Sequence, residues 1–254
     1  MTIKFHKENK MLYKQLLTVL IFFIITSTVS ANESDFIQWQ SGNIQLLHGE
    51  DYKLGSEKRN IISLEYANGW KYGDFFIFGD QIWSEEGKST YYIEPTLRFS
   101  LSKILDKKLS YGLIKDVLIS TQIEKPKNQD TRYLAGFALD LDLPGVKFFK
   151  SNFFIRDNPN LSGNTYQITL VWNVPFQMAG ANMLFEGFTD IVGDEGSSVA
   201  YQLIVPRLLI DAGQTMGLKP NKLWLGVEWQ YWHNKFGVDG VTESVPQLQM
   251  KYNF

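Results

Sequence analysis

Stretches of about ten residues in which apolar and polar side chains alternate recur along this chain, each closed by a break rich in Gly, Asn, Asp or Pro. The last of them, VPQLQMKYNF, sets Leu248, Met250, Tyr252 and Phe254 against Gln247, Gln249, Lys251 and Asn253. A period of two is strand geometry, because successive side chains of a pleated chain point to opposite faces. Each such strand owns one oily face. That face meets either the core of a soluble sandwich or the lipid around a membrane barrel with a wet interior.

The first thirty residues bear on the choice. Lys4, Lys7, Lys10 and Lys14 precede the apolar run LLTVLIFFII, and Val29 and Ala31 supply small residues for processing. This is a secretory leader pattern, with cleavage expected after Ala31. The apolar run from Leu16 to Ile25 is too short for a spanning helix, which needs ~20 residues. Residues 1–31 are thus expected to be a signal peptide and 32–254 the exported domain.

Removing the leader takes away four lysines and one glutamate, so the remaining chain carries a charge near −5. There is no basic excess to displace counterions from phosphate, which argues against nucleic acid as a partner. With no cysteine, no disulfide framework holds the exported domain together. Aromatic residues make up 15% of the chain, with seven Trp and twelve Tyr, a level suited to membrane-interface belts.

Taken in order, the alternating segments predict strands near 36–47, 59–68, 71–83, 90–102, 112–123, 131–143, 147–156, 164–174, 179–191, 198–211, 222–235 and 243–254. Twelve is an even number, as in single-chain bacterial barrels. The fold expected is all-β, a 12-stranded antiparallel transmembrane β-barrel. If the first strand runs outward, the connections HGEDYKLGSEK, SEEGKS, EKPKNQD, DNPNLSG, VGDEGSS and FGVDGVTE lie outside, and all are polar. The opposite end is expected to hold the tightest turns, at Asn68-Gly69 and Pro144-Gly145.

One parity of these segments is apolar: Ile62, Leu64 and Tyr66; Ile93, Leu97, Phe99 and Leu101; Tyr133, Phe137, Leu139 and Leu141; Tyr166, Ile168, Leu170 and Trp172; Leu225, Val227, Trp229 and Tyr231. No charge interrupts them, as lipid requires, since a mid-bilayer cation costs ~2–4 kcal/mol on that face. Trp70, Tyr72, Trp83, Tyr91, Trp172 and Tyr252 fall near segment ends, where aromatic girdles belong. Pro206 removes a ladder donor from the tenth segment and predicts a bulge, with Gln202 and Leu209 unassigned to either face.

The other parity mixes charges with rings: Asp74, Phe76, Phe78 and Asp80; Glu94 and Arg98; Phe154; Glu186, Phe188 and Asp190; Arg207; Glu228 and Trp232. Rings and carboxylates on one wet face suit a flat, hydrogen-bonding solute, because a base stacks on an aromatic ring for ~1–3 kcal/mol. The structural alternative is that the rings fill a narrow interior and that Arg98 pairs with Glu94 or Glu228 to brace the wall. The DFFIFGD run is the strongest signal, with two rings between two carboxylates on one face.

Taken together, NGWKYGDFFIFGDQIW, TYYIEPTLRFSLSKIL, VLISTQIE, FEGFTDIVG and the closing strand resemble the Tsx-like nucleoside-specific channel-forming outer-membrane proteins, a group that includes the OmpK-like phage-receptor porins. The resemblance runs from about Gly42 to Phe254. It implies a monomeric twelve-stranded barrel in the Gram-negative outer membrane, passing nucleosides between Phe76, Phe78, Asp74, Asp80, Glu94, Arg98, Glu186, Phe188 and Asp190. It also implies that the terminal Phe254 is read by the outer-membrane assembly machinery, and that a phage is a further partner. No cofactor is implied.

Two other classes remain open from sequence. A structural or phage-receptor barrel with a plugged lumen needs only that the inner charges pair. A lipid-hydrolysing barrel needs an outward nucleophile and base; His233 has outward parity, but no outward serine lies at an obvious partnering position on the tenth or twelfth strand. His and Cys do not cluster at metal-ligand spacing.

Overall fold

The computed structural model describes residues 36–254, so the leader expected over 1–31 lies outside the described residues. The chain divides into Met1–Gln38 and Trp39–Phe254. Twelve strands form a closed antiparallel barrel: β1 (Ile37–Gly49), β2 (Arg59–Trp70), β3 (Gly73–Ser84), β4 (Ser89–Ser100), β5 (Ile114–Pro126), β6 (Arg132–Leu141), β7 (Phe148–Asp157), β8 (Thr165–Met178), β9 (Ala181–Val192), β10 (Tyr201–Asp211), β11 (Leu223–His233) and β12 (Glu243–Asn253). Each strand pairs with its sequence neighbours, and β12 closes on β1 through Asn43 opposite Asn253 to Gly49 opposite Gln247. Closure removes both open edges, which no lipid-facing sheet can leave unpaired.

The alternation read in sequence becomes an inside and an outside. Along β12, Glu243, Val245, Gln247, Gln249 and Lys251 are buried while Ser244, Pro246, Leu248, Met250 and Tyr252 are exposed. Ile119, Tyr133, Phe137, Tyr166, Leu225, Val227, Trp229 and Tyr231 are likewise exposed. An outer surface so apolar is made for lipid rather than water. Trp39 and Tyr252 sit at one end of it, and Tyr133, Tyr166 and Tyr231 at the other, as girdles require.

Four local expectations are corrected. Asn68 and Gly69 stay in β2, paired with Phe75 and Asp74, and the turn falls at Lys71-Tyr72; Pro144-Gly145 does form a turn, with Gly145 at φ 77. Leu101 is not on the lipid face of β4. It opens a short helix α1 (Leu101–Ile104), because the Ser100 hydroxyl accepts from the Lys103 amide and caps it. Trp172 lies in the middle of β8 against Phe185, since β8 continues to Met178.

Nor does Pro206 make a bulge. The β9–β10 pairing runs unbroken through Pro206 opposite Gly187, and the β10–β11 register is the same on either side of Val205 and Pro206. Proline sits with its ring outward, so only a ladder bond is lost. The register shift found lies instead in β5, between Ile114 and Asp116. Leu209 faces inward and is fully buried, while Gln202 pairs with His233 on the outer face.

Candidate functional site

The interior is charged, and most of its charges are paired in three sets. Near the Lys71-Tyr72 end, Arg98 on β4 is 2% exposed and donates to Asp74 at 2.6 and 2.9 Å and to Asp140 at 2.8 Å. Lys150 on β7, four strands round the barrel from β3, adds a contact to Asp74 at 3.4 Å. Arg98 therefore pairs with Asp74 and Asp140, and not with Glu94 or Glu228. The planar guanidinium suits this, because it can serve two carboxylates at once.

The second set crosses the lumen. Arg207 on β10 meets Glu228 at 2.6 Å, Glu65 on β2 at 2.9 Å and Glu186 at 3.8 Å, while Lys251 on β12 holds Glu186 at 2.5 Å. Amides complete the shell: Asn43 donates to Glu65, Asn173 to Glu186 and Gln247 to Glu228, each at 2.9 Å. A buried carboxylate needs several such donors before its lost hydration is repaid.

The third set lies at the other end of the barrel, away from the Lys71-Tyr72 turn. Arg156 bridges Glu124 at 2.9 Å and Glu195 at 3.2 Å, with Arg132 on Glu124 at 3.4 Å. Nearby, the 50–58 loop folds inward: Tyr52 is 2% exposed and donates to Gln247 at 2.5 Å, with the Arg59 guanidinium 4.3 Å above its ring. Lys235, in the connection after β11, pairs with Glu243 under the Tyr52, Trp232 and Phe236 rings. Burial outweighs the attraction of Glu243 there and pulls the Lys235 ammonium down to about 8. Burial likewise raises the Tyr52 phenol above its ordinary range.

Between these sets runs a partly accessible lane. Asp74, Phe76, Phe78 and Asp80 on β3, Tyr92 and Glu94 on β4, and Phe188 and Asp190 on β9 are all partly accessible from the lumen. Phe76, Phe78 and Tyr92 form a row, with ring centroids 6.1 and 5.7 Å apart. Phe188 lies across from it on an apolar shelf of Leu203, Val205 and Trp232. Of the thirteen expected site residues, Arg98, Phe154, Glu186, Glu228 and Trp232 are instead buried in the wall or its ion pairs, and Arg207 is nearly so.

Glu65, Glu124 and Tyr92 belong to the interior as well, though sequence did not single them out. For Glu65 the signal was present, since Leu64 and Tyr66 point outward and leave it inside. On the outer wall, Ser244 faces outward on β12 opposite Tyr231, and its hydroxyl accepts from the Trp229 indole at 3.0 Å. Among the described residues no group of His, Cys, Asp and Glu has metal-site geometry.

No family model matches the sequence, and no curated protein does. The structure is similar to two solved structures of the KdgM porin, one of them in complex with disordered oligogalacturonate. Each is 9% identical, with a TM-score of 0.48, over 84% of this chain and 99% of the other.

Proposed function

We propose that this barrel is a channel in the outer membrane of a Gram-negative bacterium, which passes small solutes without chemistry, and that nucleosides are among them. The observation that carries the reading is the lane itself. Its rings Phe76, Phe78 and Tyr92 and its carboxylates Asp80 and Glu94 share one accessible strip. A base can stack on such a row while ribose hydroxyls donate to the acids. Weak, repeated contacts of this kind let a solute enter and also leave.

Single-channel recording in planar bilayers with a nucleoside panel tests this. Discrete conductance steps, reduced by uridine or adenosine and not by an equal concentration of sucrose, are expected. Steps indifferent to nucleosides would remove the nucleoside assignment. Absence of steps would remove the channel.

The second reading is a sealed structural or phage-receptor barrel, favoured by the contacts that cross the interior, Arg207 to Glu65 and Lys251 to Glu186, and by Tyr52 folded into one mouth. The partly accessible lane weighs against a complete seal. In the channel reading the same ion pairs hold a narrow bore to shape, and the chain acts alone, with lipid and the outer-membrane assembly machinery as its partners.

A further inference from the structure

The lane is short of positive charge. Arg98 and Lys150 balance Asp74 and Asp140, and Arg132 and Arg156 balance Glu124 and Glu195. Arg207 and Lys251 face three carboxylates, Glu65, Glu186 and Glu228. Asp80, Glu94 and Asp190 have no cation within ion-pair distance among the described residues. They are met by neutral donors alone: Ser63 on Asp80 at 2.6 Å, Tyr92 on Glu94 at 2.7 Å, and Thr169 at 2.6 Å with the Gln167 amide at 3.4 Å on Asp190. Glu94 lies within electrostatic range of Asp80, Asp190 and Glu124, so these acids, carried by opposite walls, share one stretch of lumen.

A separate observation points to what is missing there. Gln167 is 2% exposed, and its Nε2 lies 3.4 Å from Asp190 and 3.2 Å from the Thr169 hydroxyl. Its Oε1, on the same amide group, is buried and has no donor. A buried acceptor beside a carboxylate wants an N–H, and a buried amide left without one costs ~1–3 kcal/mol. The aromatic row completes the set, since an ammonium over the face of Tyr or Phe gains ~0.5–2 kcal/mol.

We propose that this stretch is a binding site for small organic cations carrying N–H donors on a flat or apolar body, amines or guanidines, and that it disfavours anions of the same shape. The proposal rests on the channel reading. It goes beyond that reading in giving the charge of the preferred solute. Acceptors outnumber donors along the lane, so a cation supplies both the charge and the hydrogen atoms that Asp80, Glu94, Asp190 and Gln167 lack.

The test compares 2-phenylethylammonium with phenylacetate, which share a ring and differ in charge, as blockers of single channels formed by the full exported chain. The cation is expected to block at ~10-fold lower concentration or better, with KCl-gradient reversal potentials showing cation preference. Glu94→Gln and Asp190→Asn should each erode that preference. Heat-modifiable gel mobility checks the folding of both, and either variant alone suffices.

Equal block by cation and anion in wild-type channels, or a preference unchanged in a folded variant, overturns the cation site and leaves the channel standing. Channels blocked by the cation but not by uridine overturn only the nucleoside assignment. No conductance steps overturn both.

Discussion

Arg207 on β10 donates through Nη1 to Glu65 on β2 at 2.9 Å, joining two points of the wall that are four strands apart around the barrel. A sheet neighbour would meet its partner through the ladder; this pair meets through the lumen. Replacing Arg207 by Gln leaves Glu65, Glu186 and Glu228 together with Lys251 as their remaining cation. Breaking a buried pair from one side costs ~3–5 kcal/mol, so Arg207→Gln should unfold at clearly lower urea in lipid vesicles. The double variant with Glu65→Gln should lose less than the two single losses combined. Additive losses would mean that the chord is not a coupled brace.

Phe76 tests stacking without touching the brace. It is half-buried in the lane and 6.1 Å from Phe78, and no ion pair depends on it. Loss of one stacking ring is worth ~1–3 kcal/mol, so Phe76→Ala should raise the nucleoside concentration for half-block by ~5- to 150-fold, with the heat-modifiable gel shift retained. Unchanged block in a folded barrel would count against a stacking role.

The inside-outside assignment makes its own prediction. Ile119 on β5 is 50% exposed on the lipid face, opposite Phe137 on β6. Gln230 on β11 belongs to the inner face with Glu228 and Trp232 and is only partly buried. Arginine at position 119 should cost ~2–4 kcal/mol in vesicle refolding, and arginine at 230 much less. Gln167, also on the inner face, makes a poorer comparison because it is fully buried and hydrogen-bonded. Equal losses at 119 and 230 would mean that the inside-outside assignment is wrong, and a larger loss at 230 would mean that the faces are exchanged.

These residues show where sequence suffices. Strand number and facing follow from local period alone, so Ile62 to Tyr231 and the closing Leu248 to Tyr252 were readable one segment at a time. Boundaries failed where turn or cap chemistry and the ladder competed: the Ser100 side chain capped a helix and ended β4, whereas at Asn68-Gly69 the ladder prevailed although the dipeptide favours turns. Ion pairing was less readable than facing. Partners such as Glu65 and Arg207, or Lys251 and Glu186, lie several strands apart, and no local pattern encodes which chords a closed barrel permits. The inward fold of Tyr52 is of the same kind, since its partner Gln247 lies 195 residues away.

Lys235 gives the loop end a pH dependence of unusual sign. Its pKa falls from 10.5 in the unfolded chain to about 8 when folded, because burial disfavours the ammonium. Between those values the unfolded chain binds more protons, so stability rises with pH from about 8 towards 10. Above 10 the trend reverses, because Tyr52, whose phenol is raised by burial, holds its proton in the fold after the unfolded chain has lost it. A gain of ~2 kcal/mol between pH 8 and 10 is expected, read from urea midpoints. It should disappear in Lys235→Gln. A wild-type curve that falls monotonically over this range would refute the assignment.

The barrel seam carries the last prediction. The Phe254 amide donates to the Gly42 carbonyl at 3.1 Å, and the Phe254 ring lies where a Cβ on Gly42 would stand. Glycine at position 42 thus lets the terminal ring lie against the β1 backbone, a role different from the turn chemistry that usually selects it. Gly42→Val should displace the ring from the β1 backbone and weaken closure by ~1 kcal/mol, the low end of the range for overfilled sites, because the exposed ring can swing aside. Phe254→Ala should cost less, because the ring is 55% exposed and the backbone bond survives. In the double variant the valine has no ring to displace, so its cost should fall sharply against the Phe254→Ala background. A valine penalty of the same size with and without the ring would mean that the contact at the seam is not what selects glycine at 42.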